Sequence, residues 1–447
     1  MRTLNLNKPV PKRIASAVLN SLKGGVVPRV GLEYIQVGRS AEINALLHDV
    51  GIIEDGGSTF RFVVGRFGAG KSFLMQTIRS HVMDRGFVVI DADLSPERRF
   101  SGTKGQGLAT YRELIRNMSV KTKPEGGALP LILEKWLSGI MSVTAASGEI
   151  PGSETFDTEV KKRIFAVTSE IEGMVNGFEF AKALICYYDG YRMGDDEKKS
   201  AVLRWFRAEY HTKSDARREL GINFIITDES WYDFIKLFAS FLFQAGFKGM
   251  FVLIDELAYL YNLHNRTTRQ NNYEKILAMY NDCLQGKALH MGIIMGAVPQ
   301  CIDDTEKGVF SYGALRSRLT EGKFASENSG TKDMLAPIIR LKQLTVDEMY
   351  VLIEKLSELH SGLYDYRNDI TKEEYAGFLK AEYERVGAAE QITPREIIRD
   401  FIEILNIISQ NPGRRVADIL TGSGFTYSPV AGDTSADADP EFAGFEI

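Results

Sequence analysis

Five short apolar runs stand out along the chain: Phe60–Val64, Phe87–Ile90 closed by Asp91, Met250–Ile254, Met291–Gly296 and Pro337–Leu341. Each has the length of a buried strand and is too short for a core helix. Between the runs the period changes to that of a helix. Leu74, Ile78 and Val82 recur at helical spacing after the first run, and Glu274–Tyr280 reads as a helix ahead of the fourth. Alternation of this kind predicts an α/β fold with a five-stranded parallel sheet, helices on both faces, and any ligand at the C-terminal ends of the strands.

The spacing between the second and third runs is far longer than a crossover needs. Over 119–220 two stripes, Leu133, Trp136, Leu137, Ile140, Met141 and Ile164, Val167, Ile171, Met174, Phe178, predict an inserted helical domain. After the fifth run, Thr345-Val346-Asp347-Glu348 has a capping-box pattern ahead of Met349, Leu352, Ile353 and Leu356. Thr393 is placed as the N-cap of a second helix, with Pro394 at its first position and Ile397, Ile398, Phe401, Ile404, Leu405 and Ile408 as its stripe. The expected organisation is an N-terminal segment and first part of the core over 1–118, a helical insertion over 119–220, the second part of the core over 221–341, and a helical lid over 342–421. Residues 422–447 carry acids and no bases and are expected to form a disordered tail.

Composition narrows the class. The chain has 447 residues, 44% of them apolar and 25% charged, which suits a soluble protein of two or three domains. No apolar run is long enough to span a bilayer, and the N-terminus lacks the apolar core of a signal peptide, so a cytoplasmic protein with no membrane partner is expected. Cys186, Cys283 and Cys301 are odd in number, widely spaced and set among apolar residues, which favours buried thiols over disulfides or zinc. The net charge of −5 gives no global argument for nucleic acid and leaves a local basic groove open. One segment has the composition for it: Lys198, Lys199, Arg204, Arg207, Lys213, Arg217 and Arg218 stand beside Trp205, Phe206 and Tyr210. Either these aromatics interleave with bases to form a nucleic-acid surface, or the interrupting acids, Asp195, Asp196, Glu197, Glu209, Asp215 and Glu219, make it an ion-paired helix face.

The chemistry is concentrated after the first strand, where residues 60 to 73 read FRFVVGRFGAGKSF. Gly65-x-x-x-x-Gly70-Lys71-Ser72 is a phosphate-binding loop in the frame it requires, strand before and helix after. Backbone N–H groups over Gly65, Arg66, Phe67, Gly68, Ala69, Gly70, Lys71, Ser72 and Phe73 can turn inward as an anion nest, Lys71 can reach the terminal phosphates, and Ser72 can ligate magnesium. The third apolar run ends in Asp255-Glu256. Two acids at the C-terminal edge of a buried strand call for a metal or a partner: Asp255 is suited to magnesium and Glu256 to the attacking water. ATP and magnesium are the expected cofactors, and hydrolysis the expected reaction.

Taken together these features resemble an AAA+ ATPase of the initiator-type branch, which includes the origin-recognition ATPases. Tyr34–Ile43 looks like the Gly-Arg box that in this branch packs near the adenine, which implies nucleotide contacts for Gly38 and Arg39. Tyr312–Leu319 is similar to the segment that presents an arginine finger to a neighbouring subunit, which implies Arg316 or Arg318 in that role. Thr393-Pro394-Arg395 matches the lid motif whose arginine, here Arg395, senses the γ-phosphate. The strand ending Met295-Gly296-Ala297-Val298-Pro299-Gln300 departs from the pattern, having no polar sensor at its tip and only Gln300 as a distant candidate.

A narrower resemblance covers most of the chain. The Gly38-Arg39 box, Phe67–Ser72, the run Arg204-Trp205-Phe206-Arg207-Ala208-Glu209 leading to Leu220-Gly221-Ile222, and Leu253-Ile254-Asp255-Glu256 look like the ATP-binding proteins of BREX-type bacterial anti-phage systems, most nearly the BrxD group. The resemblance implies a defence ATPase encoded beside a large DNA helicase; the arginine-finger segment implies a homo-oligomer, and that helicase, another defence protein or DNA is the expected partner. Three functions stay open at this level: a DNA-engaged motor or loader, a signalling switch assembled by ATP, and a scaffold that holds nucleotide structurally.

Overall fold

The computed structural model describes residues 10–320, 333–384 and 393–421; the tail anticipated over 422–447 and the side chain of Ile171 lie outside the described residues. The apolar runs form one sheet: β1 (Ser58–Val64), β2 (Val88–Asp93), β3 (Met250–Asp255), β4 (Met291–Ala297) and β5 (Ile338–Arg340). Its order is β2-β3-β4-β1-β5 and every neighbouring pair is parallel. Strands covered on both faces need no polar alternation, which is why they read as continuous apolar runs. β1 emerges between β4 and β5, so the chain leaving its C-terminal end at Gly65 opens at the sheet's ligand-binding edge. The boundaries differ from expectation by one or two residues, and one of these differences bears on the site. β2 continues past Asp91 to Asp93, because Ala92 and Asp93 stay paired with Ile254 and Asp255. Carboxylates are poor strand formers, so the sequence pattern stops short of that extension.

The described residues divide into two compact units, one drawn from 40–65, 77–320 and 333–341, the other from 10–39, 66–76, 342–384 and 393–421. The first contains the sheet. The helices of 119–220, Leu129–Ala146, Glu154–Glu172, Gly177–Met193, Asp196–Phe206 and Lys213–Leu220, share its apolar core with helix Trp231–Gln244. Phe180 is the junction, meeting Phe206, Phe238 and Phe241 at ring separations of 5.0, 5.1 and 5.7 Å. Of the anticipated stripes, Leu133, Trp136, Leu137 and Ile164 are buried, Ile140, Met141, Val167 and Met174 are partly buried against the core, and Phe178 is exposed.

Two ion pairs brace this unit, the first buried on both sides and the second on its arginine side. Arg61 on β1 makes a two-pronged contact with Asp49 of helix Ser40–Glu54, both bonds 2.6 Å. Arg79, on the helix that follows the phosphate loop, reaches Asp91 of β2 at 3.4 Å and the Ser119 hydroxyl at 2.7 Å.

The second unit is helical. Lys12–Lys23, Val346–Tyr364, Lys372–Glu384 and Pro394–Gln410 enclose a core that includes Ile353, Leu356, Phe378, Phe401 and Leu405. Both capping boxes form, Thr345 with Glu348 and Thr393 with Glu396. Loss of either threonine cap would cost about 1 kcal/mol.

His360 lies buried in this unit, with Nδ1 2.9 Å from the Tyr366 hydroxyl and Nε2 3.2 Å from Asn406 Oδ1. Burial lowers its pKa, against a smaller opposing effect of the Asn406 bond. The folded state therefore binds this proton less readily than the unfolded chain. Its contribution to stability is complete above the ordinary histidine value of about 6.5 and falls as the pH drops below that toward the lowered folded value. Thermal melts between pH 5 and 7.5 should show stability falling on the acid side, with a flatter dependence in His360→Gln. Equal slopes in the two proteins would refute the assignment.

Candidate nucleotide site

The phosphate loop has the backbone of an anion nest. Gly68 and Gly70 have φ of +72° and +83°, on either side of Ala69, whose φ is not positive. That alternation turns successive N–H groups to one side, and a side chain at either glycine would be strained. Helix Lys71–Asp84 opens directly from the loop, its first turn closed by the Leu74 N–H donating to the Gly70 carbonyl at 2.9 Å. Its unsatisfied N-terminal N–H groups add positive potential where phosphate would lie. Lys71 rests on its own loop, with Nζ 3.3 Å from the Arg66 carbonyl and 5.3 Å from the centre of the Phe67 ring. Arg66, Phe67 and Ser72 are exposed, while Phe73 packs against the core of the helical unit.

Within the helical unit the structure brings the lid motif to the loop. A Cβ on Gly68 would fall 2.8 Å from Thr393 Cβ, so the N-cap of the last long helix sits directly on the phosphate loop. Arg395, two residues on, is exposed and lies along Gly25, with its Cδ 3.4 Å from where a Cβ there would stand. Gly38 has φ of +65° and abuts Glu348, leaving no room for a side chain. Arg39 reaches out of the box to two main-chain carbonyls: its guanidinium donates to Ala69 at 3.0 Å and to Lys342. Lys355 donates to the Gln36 carbonyl at 2.7 Å, and burial lowers its pKa.

Within the sheet unit, Asp255 ends β3 and Glu256 follows in a left-handed conformation, φ +64°. That conformation costs a non-glycine residue about 1–2 kcal/mol, and the Glu256 N–H donating to Asp255 Oδ1 at 2.9 Å helps to hold it. Strand pairing sets Asp93 beside Asp255. Although Asp93 keeps contact with solvent, its pKa is raised, first by partial removal from water and then by the charges of Asp255 and Asp91. Sequence reasoning missed Asp93, and the available signal was the alternation Asp91-Ala92-Asp93, one acid taken by Arg79 and the next at the strand end. Arg316 and Arg318 stand exposed on helix Gly313–Leu319, Arg318 folding back to the Ala314 carbonyl at 2.8 Å. Gln300 is exposed in the short helix Pro299–Asp303 that follows β4.

Part of the basic segment of the insertion is ion-paired. Arg204 pairs with Glu219 at 2.5 Å, Arg218 with Asp215 at 2.8 Å and Lys199 with Asp196 at 2.8 Å. Trp205, Phe206 and Tyr210 are 1%, 0% and 5% exposed, so none of them offers a ring for a base to stack on.

A nest leaving β1, acids at the end of β3 and an all-parallel sheet in this order define a P-loop ATPase fold. The chain belongs to the family of BREX system ATP-binding proteins BrxC/D, whose family model matches residues 10–423. No curated protein matches it. Family membership makes this an ATP-binding protein of a BREX defence system. Among the described residues no helix is long and apolar enough to cross a membrane.

Proposed function

We propose that the protein is a magnesium-dependent ATPase that couples ATP binding and hydrolysis to self-association and to engagement of a helicase or other defence partner. The observation that carries this reading is the nest itself, Gly68 and Gly70 at positive φ opening into helix Lys71–Asp84, in a chain whose family binds ATP. Backbone N–H groups from Gly65 to Phe73 hold the phosphates, and Lys71 moves from the Arg66 carbonyl to neutralise their charge. Glu256 accepts the proton of the attacking water, and its left-handed backbone is the kind of strain found where a side chain must be aimed. Arg395 binds the γ-phosphate, so that lid position reports nucleotide state.

The donor set fits magnesium. Hard oxygen ligands for it are the Ser72 hydroxyl and Asp255, each suited to a divalent cation by its own chemistry; beside Asp255, the pKa of Asp93 is raised chiefly by its partial removal from water and only secondarily by the charges of Asp255 and Asp91. Magnesium, when bound, supplies neutralisation of phosphate charge.

Arg316 or Arg318 completes the site of a neighbouring protomer. Arg316→Ala or Arg318→Ala is expected to lower turnover on the order of 100-fold without weakening ATP binding, because an arginine supplied in trans acts on the transition state. Light scattering and phosphate release measured on the same samples, over a range of protein concentration and with and without duplex or single-stranded DNA, test the reading as a whole. A monomer that is fully active at every concentration would overturn the shared site. The ion pairs of the insertion and its buried aromatics favour a protein partner over DNA at that segment.

A further inference from the structure

Arg39 holds two main-chain carbonyls at once. One belongs to the Ala69–Gly70 peptide in the middle of the phosphate loop, accepting from Nη2 at 3.0 Å; the other, at Lys342, belongs to the segment that leads into helix Val346–Tyr364. The backbone is wound tightly to achieve this. Gly38 and Arg39 have φ of +65° and +61°, and a Cβ on Gly38 would fall 2.3 Å from Glu348 Oε1, in the capping box of that same helix. A left-handed arginine is rare, and here it aims the guanidinium at the back of the loop.

The consequence follows from the peptide dipole. A cation on a carbonyl oxygen draws electron density toward it, strengthens the N–H at the other end of the same peptide, and resists rotation of the peptide plane. The N–H concerned is that of Gly70, inside the nest. Arg39 is thereby placed to act through the backbone on a phosphate held by the Gly70 N–H. The packing of Thr393 on Gly68 holds the loop at a second point.

We infer that Arg39 is a positioning residue that fixes the Ala69–Gly70 peptide for polyphosphate and ties it to the lid segment at Lys342, rather than a contact for the nucleobase. The inference rests on the ATPase reading and assigns it a coupling element: order in the loop and order in the lid segment rise and fall together. A residue touching adenine would discriminate by base, whereas one acting through the Gly70 N–H affects any ligand with the same phosphates.

The test compares ATP with inorganic tripolyphosphate, which has no base. Binding of a fluorescent ATP analogue, and its displacement by tripolyphosphate, are measured for the full chain, Arg39→Ala and Arg39→Lys. Arg39→Ala is expected to weaken both ligands by the same factor, about 10-fold. Both bonds come from Nη2, and lysine keeps the charge and a donor nitrogen on a shorter, differently shaped head, so it should restore part of both affinities. Hydrogen exchange in 66–72 and 342–345 should quicken together in Arg39→Ala. Loss of ATP affinity with tripolyphosphate unchanged would mean a base contact and overturn the inference, as would no change for either ligand. If the wild type binds neither ligand, the nucleotide reading fails by itself, and unaltered exchange in the two segments would then overturn the clasp. Should Arg39→Ala not fold, Arg39→Lys and Arg39→Gln carry the same comparison.

Discussion

Lys71→Ala is expected to abolish ATP binding, whereas Glu256→Gln keeps binding and stops turnover. The two side chains act on different states. On the proposed reading Lys71 opposes phosphate charge already present in the bound ground state, and its replacement removes that charge from the loop. Glu256 meets the substrate's water only as the proton begins to move, so its amide should bind ATP normally and lose turnover by at least about 100-fold. Calorimetric titration with ATP and a phosphate-release assay on the same preparations separate the effects. Unchanged turnover in Glu256→Gln would remove it as the base, and normal ATP affinity in Lys71→Ala would take the phosphates away from this loop.

Asp49→Ala should be the most damaging single change to the sheet unit, lowering its stability by about 3–5 kcal/mol. Arg61 is 8% exposed and Asp49 2% at the side chain, so truncation leaves a guanidinium inside the protein without its carboxylate. The Ala336 carbonyl, 2.6 Å from Arg61 Nη1, cannot offset a full charge. Replacing both partners with apolar residues, Asp49→Leu with Arg61→Met, removes the charge as well and should recover much of the loss. Tryptophan fluorescence during urea unfolding is a selective readout, because all three tryptophans, Trp136, Trp205 and Trp231, belong to the core of this unit. A loss below about 1 kcal/mol would show that the pair is not the brace its burial implies.

The parts of the protein legible from sequence are those whose physics is local. Five apolar runs became five parallel strands because a strand covered on both faces needs only apolar residues, whichever neighbours it acquires. The turn from strand to helix around Gly65–Ser72 could be read because its glycines and its helix start are contiguous, and the positive φ of Gly68 and Gly70 is a property of a few successive dihedral angles. The capping boxes at Thr345 and Thr393 were legible for the same reason, each being closed within four residues.

What remained hidden depends on residues distant in the chain. Asp93 gains its meaning from Asp255, which strand pairing alone sets beside it. Trp205 and Phe206 could equally have been stacking rings or core, and burial against Phe180, Phe234 and Phe238 decided for core. Arg61 in an apolar strand gave no hint of Asp49, nor the Gly-Arg box of Ala69 and Lys342. Local pattern is written by the preferences of neighbouring residues for helix, strand and turn. The partner of a charged side chain is chosen by the packed fold, where the cost of leaving that charge unpaired is set by how much water the rest of the chain has removed.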